Sequence, residues 1–160
     1  MWARSETKEE VMKKMILVAI LAASSAAGAQ AIQLSGGASL TNLNFGGNFG
    51  ITAQSLANFN GVDLDGRLSV DLSGGDVGTF VNADLLFNFP QDAYNLYAGL
   101  GLSAALGGVN SSLLFGTATI GAAFPVADQI GVFAEAALRF NGQQSLVSRS
   151  VVRAGLTYVF

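Results

Sequence analysis

Hydrophobic and polar residues alternate strictly along much of this chain, most clearly in the stretch VDLDGRLSVDLS at Val62–Ser73. Its even positions hold valine, leucine or glycine, and its odd positions hold aspartate, arginine or serine. A period of two places the two sets on opposite faces of a β-strand. The pattern therefore predicts a strand with one apolar and one polar face, but it leaves open which face meets water.

The alternation recurs in eight segments, which are separated by clusters rich in Gly, Asn, Ser, Pro or Asp. No helical period, linker or second domain interrupts the series. We therefore expect one all-β domain over residues 32–160. The predicted strands cover residues 32–41, 48–56, 62–73, 77–89, 94–106, 112–124, 130–140 and 150–160.

The N-terminal segment has the layout of a secretory signal peptide. Two lysines precede an apolar run from Met15 to Ala23, and small residues follow. The run is shorter than the roughly 18 apolar residues that a transmembrane helix needs. Cleavage after Ala29 or Ala31 fits the small-residue pattern, and we favour Ala31. Residues 1–31 are therefore predicted to be an N-terminal extension with a cleavable signal peptide, and the chain is predicted to be exported.

The composition restricts the classes of partner and chemistry. Only 12% of the residues are charged, against about 25% in a typical soluble domain. Residues 32–160 contain four arginines, eight carboxylates and no lysine, so their formal net charge is −4. Without a basic patch we expect no nucleic-acid partner. The chain also lacks cysteine and histidine, which removes disulfides and the commonest general base.

Eight charged residues fall within the predicted strands, and all of them lie on the face opposite the aliphatic residues. If the aliphatic face meets lipid, these side chains must fill the interior of a closed barrel. Because a lone buried charge is costly, we expect them to pair as a charge network in the lumen. Its predicted members are Asp63, Asp65, Arg67, Asp71, Asp84, Glu135, Arg139 and Arg153.

Three features favour lipid rather than water outside the sheet. The polar face carries too few charges for a soluble surface, and lysine, which usually protects exposed edges, is absent from residues 32–160. The predicted strand lengths suit a tilted crossing of a bilayer. Aromatic residues gather at strand ends, as in the interfacial girdles of membrane barrels. The predicted girdles are Phe87, Phe89, Tyr94, Tyr97, Phe124, Phe133, Tyr158 and Phe160 on one side, and Phe45, Phe49, Phe80, Phe115 and Phe140 on the other.

Backbone hydrogen bonding then determines the predicted architecture. A sheet in hydrocarbon must pair every N–H and C=O group, so it can have no free edge. Eight antiparallel strands closed on themselves meet this condition, and an even number returns both termini to one side. We therefore predict an eight-stranded antiparallel up-and-down transmembrane β-barrel. We expect it to be a monomer in a lipid bilayer, without a cofactor or a metal.

Two stretches resemble the small bacterial outer-membrane β-barrels of the OmpA-transmembrane-domain and OmpX type. They are YNLYAGLGLSAAL at 94–106 and the ending VVRAGLTYVF at 151–160. Apolar residues at every second position before a final phenylalanine are similar to the family's C-terminal assembly signal, here Leu156, Tyr158 and Phe160. The resemblance implies a location in the cell outer membrane of a Gram-negative-type envelope. It also implies insertion by the barrel-assembly machinery.

The leading functional hypothesis is a non-enzymatic barrel with a structural or envelope-integrity role. Outer-membrane lipid enzymes of this barrel size resemble a histidine-dependent design, and this chain has no histidine. A narrow channel for small solutes is one alternative, and a soluble periplasmic lipocalin-like barrel with an apolar ligand is another. The predicted outward loops are short, which argues against surface recognition. They lie near residues 42–48, 73–77, 106–112 and 141–149.

Overall fold

The computed structural model describes residues 30–73, 78–106, 114–141 and 150–160, and it contains eight strands. Consecutive strands pair antiparallel and β8 pairs with β1, so the sheet closes into an up-and-down barrel. This confirms the predicted barrel, whereas residues 1–29 of the predicted signal peptide lie outside the described residues. The strands are β1 (Ala31–Thr41), β2 (Asn44–Phe59), β3 (Val62–Ser73), β4 (Thr79–Pro90), β5 (Asn95–Leu106), β6 (Leu114–Pro125), β7 (Ile130–Phe140) and β8 (Val151–Val159).

Within these ranges, no helix is long and apolar enough to cross a membrane.

The largest difference from the predicted strands is in β2, which begins at Asn44, inside the predicted loop at 42–48, rather than at residue 48. Only Asn42 and Leu43 form the turn, with φ values of 47° and 64°. Two successive positive φ values match the twist of a β-hairpin, so two residues are enough to reverse the chain. The asparagine- and glycine-rich stretch after the turn was therefore wrongly predicted as a loop, and it forms paired strand.

A bulge in β2 lies opposite the first part of β3. Ala53 pairs with Gly66 and Ala57 pairs with Leu64, so four residue steps of β2 match two of β3. Ser55 lies in the bulge with a φ of 53°. Bulges bend a strand and redirect its groups. Here the Ser55 amide donates a hydrogen bond to the Asp65 carboxylate at 2.7 Å.

A pair of glycines lies where β1 and β8 close the barrel. Gly37 is the register partner of Gly155. A Cβ at Gly155 would lie 2.2 Å from the carbonyl oxygen of Gly36 and 2.6 Å from the Gly37 Cα. These neighbours are backbone atoms that cannot rotate away. The close approach of the two strands therefore requires a residue without a side chain.

The two faces of the barrel are inverted relative to a soluble protein. Among the described residues, twice as many polar or charged side chains as hydrophobic ones are buried. The outer face instead exposes aliphatic side chains along the middle of the strands, and Leu100 is 62% exposed. Such a surface suits hydrocarbon rather than water. Its members include Leu85, Leu100, Leu102, Ile120, Leu138, Val152 and Leu156.

The predicted aromatic girdles are wrong for Tyr97, Phe133, Phe80 and Phe115, which are buried inside the barrel. All four occupy positions of the inward-facing set, so the strand alternation directs their rings into the lumen. The other girdle residues are exposed on the outer face. They are Phe87, Phe89, Tyr94, Phe124, Tyr158 and Phe160 near the end where β1 begins and β8 ends, and Phe45, Phe49 and Phe140 toward the opposite end.

Candidate functional site

Asp71 on β3 is the centre of a buried ionic network in the lumen. Arg153 donates to its carboxylate through Nε at 2.7 Å and through Nη2 at 2.6 Å, and Arg139 donates through Nη2. The side-chain amides of Asn48 and Asn82 donate at 2.9 and 3.0 Å. Asp71 is 0% exposed, so its charge is compensated by protein groups rather than by water.

Glu135 on β7 is the second centre of the network. It accepts hydrogen bonds from Arg67 Nη1 at 2.6 Å and from the Tyr97 hydroxyl at 2.8 Å, and it pairs with Arg153. Arg67 also bonds Asp84, with 3.0 Å between Nη2 and Oδ2. These contacts form one continuous series of ion pairs. In order, its members are Arg139, Asp71, Arg153, Glu135, Arg67 and Asp84.

The ion pairs cross the lumen. Arg67 is on β3 and Glu135 is on β7, which are opposite strands in the circle of eight. Arg153 on β8 likewise reaches across to Asp71 on β3. Long side chains that meet across the axis occupy the cross-section, as expected for a barrel of eight strands. The network therefore fills part of the lumen cross-section and cross-links distant strands.

Two aromatic side chains lie beside the network, on the side away from the end where β1 begins and β8 ends. The Phe80 and Phe115 rings meet edge to face with 6.0 Å between their centroids. The Arg139 guanidinium carbon lies 4.1 Å from the centroid of the Phe80 ring. This geometry allows a cation–π interaction, which is strongest when both groups are removed from water. The aromatic pair thus extends the filled part of the lumen along the barrel axis.

A cavity of about 290 Å³ lies at the other end, where β1 begins and β8 ends. We call it the terminal cavity. Polar side chains, three aromatic rings and one leucine form much of its wall, and Arg67 of the network also lines it. The cavity occupies the part of the lumen between this end of the barrel and Arg67. Its characteristic residues are Gln33, Gln54, Asp65, Leu86, Asn88, Asn95, Tyr97 and Phe133.

The structure places two of the predicted network residues outside the series of ion pairs. Asp63 is half-buried near the rim, and its carboxylate accepts a hydrogen bond from Asn58 Nδ2 at 2.7 Å. Asp65 is buried and accepts a hydrogen bond from the Ser55 amide. The remaining six predicted residues are joined as described above. Alternation assigned all eight to one face, but it carries no information on their depth in the barrel.

Several uncharged residues belong to the network although they were not among the predicted site residues. Ser103 donates to Asn82 Oδ1 at 2.7 Å, and Thr117 donates to Asp84 Oδ1 at 3.0 Å. Tyr97 bonds Glu135, as noted above. Their position on the polar face was visible in the sequence. Nothing in a single sequence shows which neutral polar residues lie beside a charge on a distant strand.

The three residues of the predicted assembly signal lie on the outer face of β8 and just after it. Leu156 is 59% exposed and Phe160 is 67% exposed. The Tyr158 and Phe160 rings stack edge to face with 4.9 Å between their centroids. The Phe160 amide donates to the Ile32 carbonyl at 2.9 Å. The C-terminal residue is therefore held by its backbone while its ring stays available on the outside.

No family model and no curated protein matches this chain.

Solved structures match the chain in fold. The N-terminal β-barrel domain of OprF from Pseudomonas aeruginosa has a TM-score of 0.61 and 13% identity, covering 83% of this chain and 99% of that one. Ail, an outer membrane protein from Yersinia pestis, has a TM-score of 0.54 and 15% identity, with coverages of 81% and 99%. The outer membrane enzyme PagL has a TM-score of 0.54 and 16% identity, with coverages of 80% and 98%.

At these identities the likeness is one of fold, and it confirms the predicted resemblance at that level. The fold and the apolar outer face together define the class of protein, which is the small eight-stranded β-barrel of the cell outer membrane. Among the described residues, no group of three or more acidic side chains is arranged to hold a metal ion.

Proposed function

We propose that this chain is a non-enzymatic integral outer-membrane barrel that has a structural role in the envelope and a closed lumen. The ion pairs between Arg67 and Glu135, and between Arg153 and Asp71, carry the proposal because they cross the barrel. Side chains that connect opposite strands obstruct a solute path and at the same time brace the wall. Because its outer face is apolar, the braced barrel can lie in the membrane as a rigid cylinder.

The absence of histidine from the whole chain supports a non-enzymatic role. Without histidine, a hydroxyl nucleophile would need another base, such as a carboxylate. The carboxylates of Asp71, Asp84 and Glu135 are each committed to buried guanidinium groups. They hold the barrel together and are not free to remove a proton from a lipid substrate.

We further propose that the end of the barrel where β1 begins and β8 ends faces the periplasm. We also propose that the barrel-assembly machinery recognises Leu156, Tyr158 and Phe160. Exposure of all three on the outer face supports this proposal, since a receptor can reach them while the strand is presented. Lipid can cover the apolar outer face of the described strands. This supports a monomer in the bilayer.

Conductance of a planar bilayer tests the closed lumen. The purified barrel, refolded and inserted into a lipid bilayer, is expected to give no current steps above those of protein-free detergent controls. Steady unitary currents would contradict the proposal. The double variant Asp71→Ala/Arg139→Ala removes two crossing side chains and serves as the positive control, because it is expected to conduct if it folds.

A narrow channel for small solutes is the second candidate. The terminal cavity favours it, because this space already extends from one end of the barrel to Arg67 in the network. Solutes could pass only after the ion pairs separate. Current from the wild-type barrel in the same bilayer experiment would support this candidate over the structural role.

The soluble lipocalin-like alternative conflicts with the side-chain arrangement. A barrel that holds an apolar ligand needs aliphatic residues inside, whereas here Asp71 and Arg139 are buried and Leu100 is exposed. Alkaline carbonate washing of membranes distinguishes the two cases. The protein is expected to remain in the membrane pellet, and its release without detergent would contradict membrane insertion.

Sensitivity of intact cells tests the structural role directly. A strain without this protein is expected to admit detergents that the parent excludes, and a plasmid copy should restore the barrier. The Asp63→Asn variant, whose site is outside the ionic network, should restore it equally. A deletion strain with normal resistance would contradict an envelope-integrity role.

A further inference from the structure

Asp65 is the buried carboxylate that the ionic network leaves out. It is 6% exposed, and none of the ion pairs among the described residues includes it. Its Oδ1 accepts the Ser55 amide at 2.7 Å, so one oxygen is held in place by the β2 bulge. The carboxylate is therefore positioned, but it has no cation as its partner.

The count of buried charges in the lumen also identifies Asp65 as the carboxylate without a counter-charge. Within the described part of the chain, four buried carboxylates face three buried guanidinium groups. Asp71, Asp84 and Glu135 share those three cations, so the excess negative charge is that of Asp65. A carboxylate that has lost water without gaining a counter-charge is unfavourable. A bound cation would remove this imbalance.

A buried acceptor without a hydrogen bond lines the same cavity. Asn95 Oδ1 is buried and receives no hydrogen bond, while its Nδ2 donates to Asn88 Oδ1 at 2.8 Å. Both Asn95 and Asp65 line the terminal cavity. Buried polar atoms normally have partners, so an orphan acceptor requires an explanation. The two groups together call for a ligand that is positively charged and donates hydrogen bonds.

The cavity wall narrows the choice of cation. Calcium takes six to eight oxygen ligands, whereas Asp65 is the single buried carboxylate of this cavity, and Asp128 is an exposed one at its rim. Tyr97 and Phe133 supply aromatic surface that favours a cation with an organic stem. A volume of about 290 Å³ is at the lower end for ligand pockets, which suits a small molecule.

We propose that the terminal cavity binds a small primary ammonium compound, with Asp65 as its counter-charge and Asn95 Oδ1 as a second acceptor. An ammonium group has three donors, so it can donate one hydrogen bond to each of the two oxygens. A short alkyl stem would then lie against Phe133 and Leu86. This binding site goes beyond the structural role, since it does not depend on whether the lumen conducts.

Titration of the folded full-length barrel in a neutral maltoside detergent tests the site, with n-butylammonium chloride as the probe. The Ser55 amide bonds Asp65 directly, so its NMR resonance is expected to shift in a saturable manner. Butanoate has the wrong charge, and tetraethylammonium has no N–H donor. Neither should produce the same saturable shift. A wild-type barrel that shows no saturation with butylammonium would overturn the proposal.

Two matched variants locate the binding. Asp65→Asn keeps an acceptor for the Ser55 amide and is expected to weaken butylammonium binding about tenfold or more, because it removes a charged acceptor. Asp63→Asn removes the same charge two residues away, outside the cavity, and should change binding by less than about threefold. Equal affinity in wild type and Asp65→Asn, or equal losses in the two variants, would overturn the site.

Phe133→Leu provides a readout that does not depend on Asp65. Loss of the ring is expected to weaken butylammonium binding roughly threefold, since the alkyl stem loses part of its apolar contact. Each variant is first shown to fold by its heat-dependent mobility on a detergent gel. An unchanged affinity in folded Phe133→Leu would contradict the proposed position of the ligand.

Discussion

At the residue scale, a few buried side chains link the strands to one another through the lumen. Asp71 accepts from two arginines and two asparagines that come from β2, β4, β7 and β8. One carboxylate on β3 thus connects five of the eight strands. Because such a network is fully satisfied, the removal of one member leaves the others buried without partners.

Replacing Asp71 by asparagine is expected to destabilise the barrel by about 3–5 kcal/mol, because two guanidinium groups lose their shared counter-charge. The free energy of unfolding can be measured by guanidinium titration in detergent with far-UV circular dichroism. Asp63→Asn is the matched control, with an expected change within about 0.5 kcal/mol. Equal stability of the Asp71 and Asp63 variants would show that the ion pairs do not stabilise the barrel.

At the element scale, the contact of β1 with β8 decides whether the sheet closes. A new Cβ at Gly155 meets backbone on β1, whereas one at Gly47 would meet only the Phe49 ring at 3.7 Å and the Gly37 carbonyl oxygen at 3.9 Å. The same type of residue is thus required at one position and replaceable at another. The difference comes from the distance between neighbouring strands and not from the local sequence.

Gly155→Ala is therefore expected to destabilise the closed barrel by about 1–3 kcal/mol, the usual range for overpacking. It should also lower the fraction that reaches the heat-modifiable folded form during refolding into detergent. Gly47→Ala should refold like the wild type. Normal refolding and stability of Gly155→Ala would mean that the two strands can separate without cost.

The C-terminal strand also has a property that concerns assembly rather than stability. The Phe160 ring is exposed, and the residue is anchored through its amide. Phe160→Ser is expected to reduce the folded protein in the outer membrane of cells, while refolding of the purified chain changes little. Heat-modifiable protein is quantified in both settings, with Phe45→Ser as the control. Normal assembly of Phe160→Ser in cells would remove the support for an assembly signal.

At the scale of the whole molecule, the outer face determines the solvent of the barrel. Leu100 lies near the middle of β5 and Leu43 at the tip of the first hairpin, and both are well exposed. In water an arginine at either position would be harmless. In a bilayer, the middle of a strand lies in hydrocarbon, where a charge is unfavourable.

Leu100→Arg is expected to destabilise the barrel in lipid vesicles by about 2–4 kcal/mol. Leu43→Arg should have an effect of less than about 1 kcal/mol, because the hairpin tip lies beyond the hydrocarbon. Denaturant titration of vesicle-inserted protein measures both changes. Similar effects of the two substitutions would argue against a lipid-facing band centred on Leu100.

The sequence by itself was enough to determine the number of strands and the two faces of the sheet. Strict alternation in stretches such as Val62–Ser73 makes the facing of each residue a local property, because successive side chains point in opposite directions. The scarcity of charge and the missing lysines then indicated which face meets lipid. In the structure, the β2–β3 turn is formed by Asn60 and Gly61, whose positive φ values make a tight hairpin.

Only the tertiary structure decided which side chains meet across the lumen. Arg67 and Glu135 are separated by 68 positions in the sequence, and their contact depends on the register of every strand between them. The environment of Asp65 was also decided by the tertiary structure. The alternation placed Asp65 with the other charges, but it lines a cavity and forms no ion pair with the described arginines. Periodicity determines the face on which a residue lies, whereas its depth and its partners are set by barrel closure, strand stagger and bulges.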